Sequence, residues 1–92
     1  MGVSIHNLAV LRASVEGVHL GTYFGALGAL PHWIESTRAL GWIDSDGKPT
    51  EFGTQLARSL ALAGQGAGRA YLWRDADALV AKAATLAMEK NS

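Results

Sequence analysis

Apolar residues recur at helical spacing along several stretches of the chain, and caps, glycines and prolines punctuate them. Ile5, Leu8, Ala9, Leu11 and Val15 follow Ser4, whose hydroxyl can accept a bond from a first-turn N–H, and the run stops at Gly17. A capped helix is predicted there, with Arg12 and Glu16 as an exposed pair four residues apart. Val18-His19-Leu20, between Gly17 and Gly21, has the length of one short strand. Thr22 can cap a second helix to about Leu27. Gly28-Ala29-Leu30 reads as a turn, and Pro31, whose ring suits a first helical position, opens a further helix through Leu40. The alternative parse is one helix kinked at Pro31.

The stretch from Leu40 to Leu60 carries the clearest signals. Asp44-Ser45-Asp46-Gly47 is turn chemistry: Asp side chains bond nearby backbone N–H groups, and Gly supplies a positive φ. A hairpin is predicted joining Trp42-Ile43 to Lys48-Pro49. Thr50 then caps a helix with Glu51 at the positive end of its dipole, and Phe52, Leu56, Leu60 and Ala63 form its apolar stripe. Gly64-Gln65-Gly66-Ala67-Gly68 reads as a loop, since each glycine within a helix costs about 1 kcal/mol relative to Ala. Ala70 to Trp73 is a short extended or turn segment. Asp75 caps a last helix, rich in alanine, with Ala76, Leu79, Val80, Ala83, Leu86 and Ala87 on one side.

Gly41-Trp42-Ile43, the loop from Asp44 to Lys48, and Thr50-Glu51-Phe52-Gly53 resemble the wing region of winged helix-turn-helix proteins. Leu27, Gly28, Ala29 and Ile34 are similar to the apolar, turn and core positions of a helix-turn-helix. Phe24 and Thr37 depart from that pattern, Phe24 standing where a small residue is usual and Thr37 where a larger aliphatic packs. The resemblance implies a mostly α fold with a small β-hairpin, ordered helix, short strand, helix-turn-helix, wing, helix and C-terminal helix. It also implies a small DNA-binding regulator of transcription acting as a homodimer. The other reading is a protein-interaction module or inhibitor that keeps the scaffold and does not bind DNA.

Composition narrows the choice. Ninety-two residues allow one domain, with residues 75–90 as a C-terminal packing or dimerisation helix. Eight basic and eight acidic residues cancel, so no global positive field draws the chain to nucleic acid or anionic lipid. The chain has no cysteine, which excludes disulfides and thiolate metal sites, and it shows neither a signal segment nor an apolar run long enough to span a membrane. A soluble, cytoplasmic protein is expected.

Candidate chemistry is sparse. The reading helix that the resemblance implies presents His32, Glu35, Ser36 and Ala39, with Arg38 near its end; residues 32–58 hold three basic and four acidic side chains, a net of −1. Duplex affinity rests largely on phosphate neutralisation, so this balance argues for a protein partner. Residues 52–74 contain Arg58, Arg69 and Arg74 and no acid, interleaved with Tyr71 and Trp73, a composition shared by phosphate-contacting patches and by protein interface centres. His32, Ser36, Arg38, Lys48, Arg58, Arg69, Tyr71, Trp73 and Arg74 are therefore the candidate residues for nucleic acid or a partner. Leu79, Ala83 and Leu86 are the candidate dimer contacts. The glycine run lacks the spacing of a dinucleotide or P-loop fingerprint, and the Asp44 turn lacks the ligands of a calcium loop. His6, His19 and His32 fall on separate elements without ligand spacing, and no nucleophile motif frames a Ser, so neither metal, cofactor nor enzymatic activity is expected.

Overall fold

The axis of the computed structural model, which describes residues 2–17, 30–65 and 73–90, is helix α1 (Ile5–Glu16). Every residue from Asn7 to Ala13 on it is buried. A helix buried on all sides must be surrounded, and α1 contacts α2 (Leu30–Ala39), α3 (Glu51–Ser59), a 3₁₀ turn (Leu62–Gly64) and α4 (Ala76–Lys90). Ser4 starts it as the sequence predicts. Its Oγ accepts from His6 N at 3.3 Å, and its own N–H donates to Asn7 Oδ1 at 2.9 Å, a reciprocal cap. Gly17 ends it at φ +71.

Arg12 departs from expectation. It pairs with Glu16 at 3.2 Å, yet it is 6% exposed instead of solvated, and its guanidinium carbon lies 5.6 Å from the Trp73 ring centroid. The aromatic face and the carboxylate together hold the charge that burial would otherwise penalise.

Helix α2 carries Pro31 in its first turn, where a missing N–H leaves no helical bond unmade. Its end is a Schellman motif. Gly41 at φ +80 donates to Arg38 O at 2.9 Å, and Trp42 N donates to Thr37 O at 3.3 Å. This reversal sends Trp42 inward, where it is the largest fully buried side chain. Its Nε1 is buried with no hydrogen-bond partner among the described residues.

The winged-helix-like architecture and its β-hairpin are not what the chain forms. Among the described residues there is no strand and no sheet; the expected wing is one isolated antiparallel bridge, Ile43 to Pro49. Asp44 N donates to Lys48 O at 2.8 Å and Thr50 N to Trp42 O at 3.0 Å, so the bridge is a pair that needs no N–H from Pro49. The ladder stops there because Thr50 already caps α3. An arm that becomes helix after one paired residue cannot extend a sheet. The candidate strand at 18–20 and the helix at 22–27 lie outside the described residues.

The turn itself follows its residues. Asp44 Oδ1 accepts from Asp46 N at 2.8 Å and Lys48 N at 3.0 Å, Gly47 sits at φ +79, and Ser14 Oγ on α1 donates to the Gly47 carbonyl. A Cβ at Gly47 would meet nothing within 4 Å, so the conformation alone makes substitution costly. Gly47→Val is expected to lose about 2 kcal/mol, as the left-handed region costs an L-residue about 1–2 kcal/mol and β-branching adds to it. Urea denaturation measures this, with Gly47→Asn losing less than half as much.

Thr50 Oγ1 accepts from Gly53 N at 3.0 Å, so α3 starts where the sequence places it. It ends sooner than its apolar spacing suggests. Ala61 adopts φ +53 and turns the chain, so Leu62 takes the inward position and Ala63 is exposed. At the start of α4, Asp75 O accepts from Leu79 N at 2.9 Å, but Asp75 has φ +57 and its side chain makes no cap bond among the described residues.

Candidate partner-binding surface

The expected reading face lies on α2, and its polar groups are engaged. Ser36 Oγ accepts from Asn7 Nδ2 at 3.1 Å, and Arg38 pairs with Glu35 and donates through Nε to Asp44 O at 3.2 Å. His32 is exposed, its ring 4.9 Å from Trp33 at a steep angle, while His6 on α1 lies 4.7 Å from that same indole, tilted by 37°. The sequence gives no sign of this His6–Trp33–His32 cluster, because its members come from two helices. Groups of His, Cys, Asp or Glu able to hold a metal ion are absent among the described residues.

Thr37 explains one departure from the helix-turn-helix pattern. It is fully buried, accepts from Asn7 Nδ2 at 2.9 Å and donates to Trp33 O at 2.7 Å. Asn7 therefore caps α1 through its oxygen and joins α1 to α2 through its nitrogen. An aliphatic residue at 37 would leave that buried amide short of one of its two acceptors.

The candidates between 48 and 74 that the structure describes differ in exposure. Lys48 is exposed on the turn, and Trp73 is core, buried under Arg12. Arg58 and Arg74 are exposed, and neither guanidinium makes a hydrogen bond or ion pair among the described residues; Arg69 and Tyr71 lie outside those residues. Of the candidate dimer contacts, Ala83 is fully buried, and Leu79 and Leu86 are half-buried against the same core as α1. The outward side of α4 is instead Ala78, Ala81, Thr85 and Met88.

What the structure brings together is a groove that the sequence does not announce. The C-terminal half of α1 supplies Arg12, Val15 and Glu16, the end of α3 supplies Ala57 and Arg58, and the turn beyond supplies Ala61, Leu62 and Ala63. It encloses about 250 Å³. Three of its lining residues are alanines, whose short side chains leave the space, and Ala61 bends the chain around it at an unusual positive φ. Val15 is 41% exposed on its wall, one of two large apolar side chains left open to solvent among the described residues. A shallower hollow lies at the start of α3, lined by Gly41, Thr50, Glu51, Phe52 and Gln55, where the cap and Glu51 already satisfy the helix end.

Across the described residues no helix is long and apolar enough to cross a membrane. Comparison with protein-family models, with curated proteins and with solved structures finds no match to this chain, and nothing in it identifies a winged helix-turn-helix domain.

Proposed function

We propose that this chain is a small helical protein-interaction module of the cytoplasm, with no enzymatic role, and that it does not read DNA. The observation that supports this reading is the half-open apolar groove between α1, α3 and the 3₁₀ turn, with exposed Val15 on its wall. At about 250 Å³ it falls below the roughly 300–1,000 Å³ usual for small-molecule and cofactor sites. One large side chain of a partner is the better fit, and a single well-seated apolar anchor carries much of the energy of many protein interfaces.

The engagement of α2 weighs against DNA. A base-reading helix needs free donors and acceptors, whereas Ser36 is bonded to Asn7 and Arg38 to Glu35 and Asp44. Fluorescence anisotropy of a labelled mixed-sequence duplex at about 50 mM salt is expected to show no saturable binding below about 100 µM, the weak end of ordinary non-specific affinity. Saturable binding that weakens with salt, and whose salt slope falls when Arg38, Arg58, Arg69 and Arg74 are replaced by alanine, would favour the DNA-binding reading instead.

A further inference from the structure

We infer that the groove takes a peptide segment of another protein that presents one large apolar side chain next to a carboxylate. This rests on the interaction reading above and goes further by naming the chemistry of the partner.

The charges around the groove select the sign. Arg12, Glu16 and Arg58 are the ionisable residues that line it. Arg12 and Glu16 neutralise each other at 3.2 Å, and the Trp73 ring holds the Arg12 head from its other side. Arg58 is different. It stands exposed at the end of α3, and its guanidinium makes no ion pair or hydrogen bond among the described residues. The groove therefore carries a net charge of +1 that is concentrated on one free, planar donor suited to a carboxylate.

The walls select the rest. Val15, Ala57, Ala61, Leu62 and Ala63 offer methyl groups, so the inserted group must be apolar. The enclosed volume admits one such side chain and not a cofactor. Exposing Val15 to water is unfavourable, and covering it recovers that loss on binding. Exposed Met88 on the outer side of α4 has the acids Asp77 and Glu89 on the same helix, and the hollow at the start of α3 is edged by Glu51, so neither matches the groove in charge.

The test is selection of a displayed library of random 12-residue peptides on the full chain, followed by anisotropy titration of the enriched peptides against variants. Enriched peptides are expected to share a large apolar residue beside Asp or Glu. Val15→Glu should weaken them about tenfold or more, as an anchor contact is lost. Arg58→Gln should weaken them about threefold and Arg58→Glu about tenfold, in keeping with an exposed ion pair removed and then reversed. Both positions are exposed, so circular dichroism melting should show folded variants; Arg58→Gln keeps the charge test valid if Arg58→Glu does not fold. Met88→Lys, away from the groove, should change affinity less than twofold.

Peptides that lack an acidic residue, or that are indifferent to Val15→Glu and Arg58→Gln but lost with Met88→Lys, would overturn the groove assignment while leaving an interaction module standing. A library with no binder, together with saturable duplex binding, would overturn both.

Discussion

Replacing Gly53 by alanine is expected to destabilise the protein by about 3 kcal/mol, although the position is inside a helix where alanine is ordinarily favoured by about 1 kcal/mol. The reason is a close approach. A Cβ built on Gly53 would lie 2.1 Å from Trp42 O, 3.0 Å from Trp42 C and 3.1 Å from Leu11 Cδ1. The Leu11 side chain has some freedom to yield, but the Trp42 carbonyl does not. Trp42 is fully buried, and its oxygen accepts from Thr50 N at 3.0 Å and from Thr50 Oγ1 at 3.2 Å. Relieving the clash must push α3 away from the segment its own cap is bonded to. Overpacking of a tight site costs about 1–3 kcal/mol or more, and rigid backbone on the opposing side places this case at the upper end. For a domain of this size the midpoint of thermal unfolding should fall by about 12–24 °C. A melting curve within about 3 °C of wild type would show that α3 and the backbone at Trp42 are not in this contact.

The second large effect belongs to Asn7. Asn7→Ala is expected to lose about 3 kcal/mol, combining the cap on α1 with two side-chain hydrogen bonds to α2, each worth about 1 kcal/mol, and the small cavity left behind. The contributions separate experimentally. Ser4→Ala removes only the hydroxyl half of the cap and should cost about 1 kcal/mol. Thr37→Val leaves the buried Asn7 amide short of one of its two acceptors, and about 2 kcal/mol is expected. Because Asn7 and Thr37 share a bond of 2.9 Å, the double variant should be less destabilised than the sum of the singles by about 1 kcal/mol. Additive losses in urea denaturation would mean that the two residues act separately and that α1 and α2 are held by apolar contact alone.

These two sites show which kinds of information were legible along the chain. Ser4, Gly17, Thr50 and the Asp44 to Gly47 turn were readable because a cap or turn is made by residues within four positions of each other, and the bonds found there run over that same short range. The wing failed at the next step. Turn residues specify that the chain reverses, but a sheet also needs paired length on both sides, and Thr50 starts a helix one residue after the bridge at Pro49. The likeness to a winged helix lay in the turn and in the helix start, which a helical fold uses equally well.

Where α1 and α3 begin, where α1 stops, and the reversal at Gly47 are written in the order of residues, because local backbone hydrogen bonding settles these matters. Packing between distant segments buried α1 all round from Asn7 to Ala13, set Arg12 against Trp73, brought Gly53 onto the Trp42 backbone and laid Leu79, Ala83 and Leu86 against the core. It also made the groove, whose walls are drawn from residues 12–16 and 57–63. Helical periodicity marks which side of a helix is apolar, whereas the partner that covers each side, and the space left where short side chains meet, depend on how distant segments pack together.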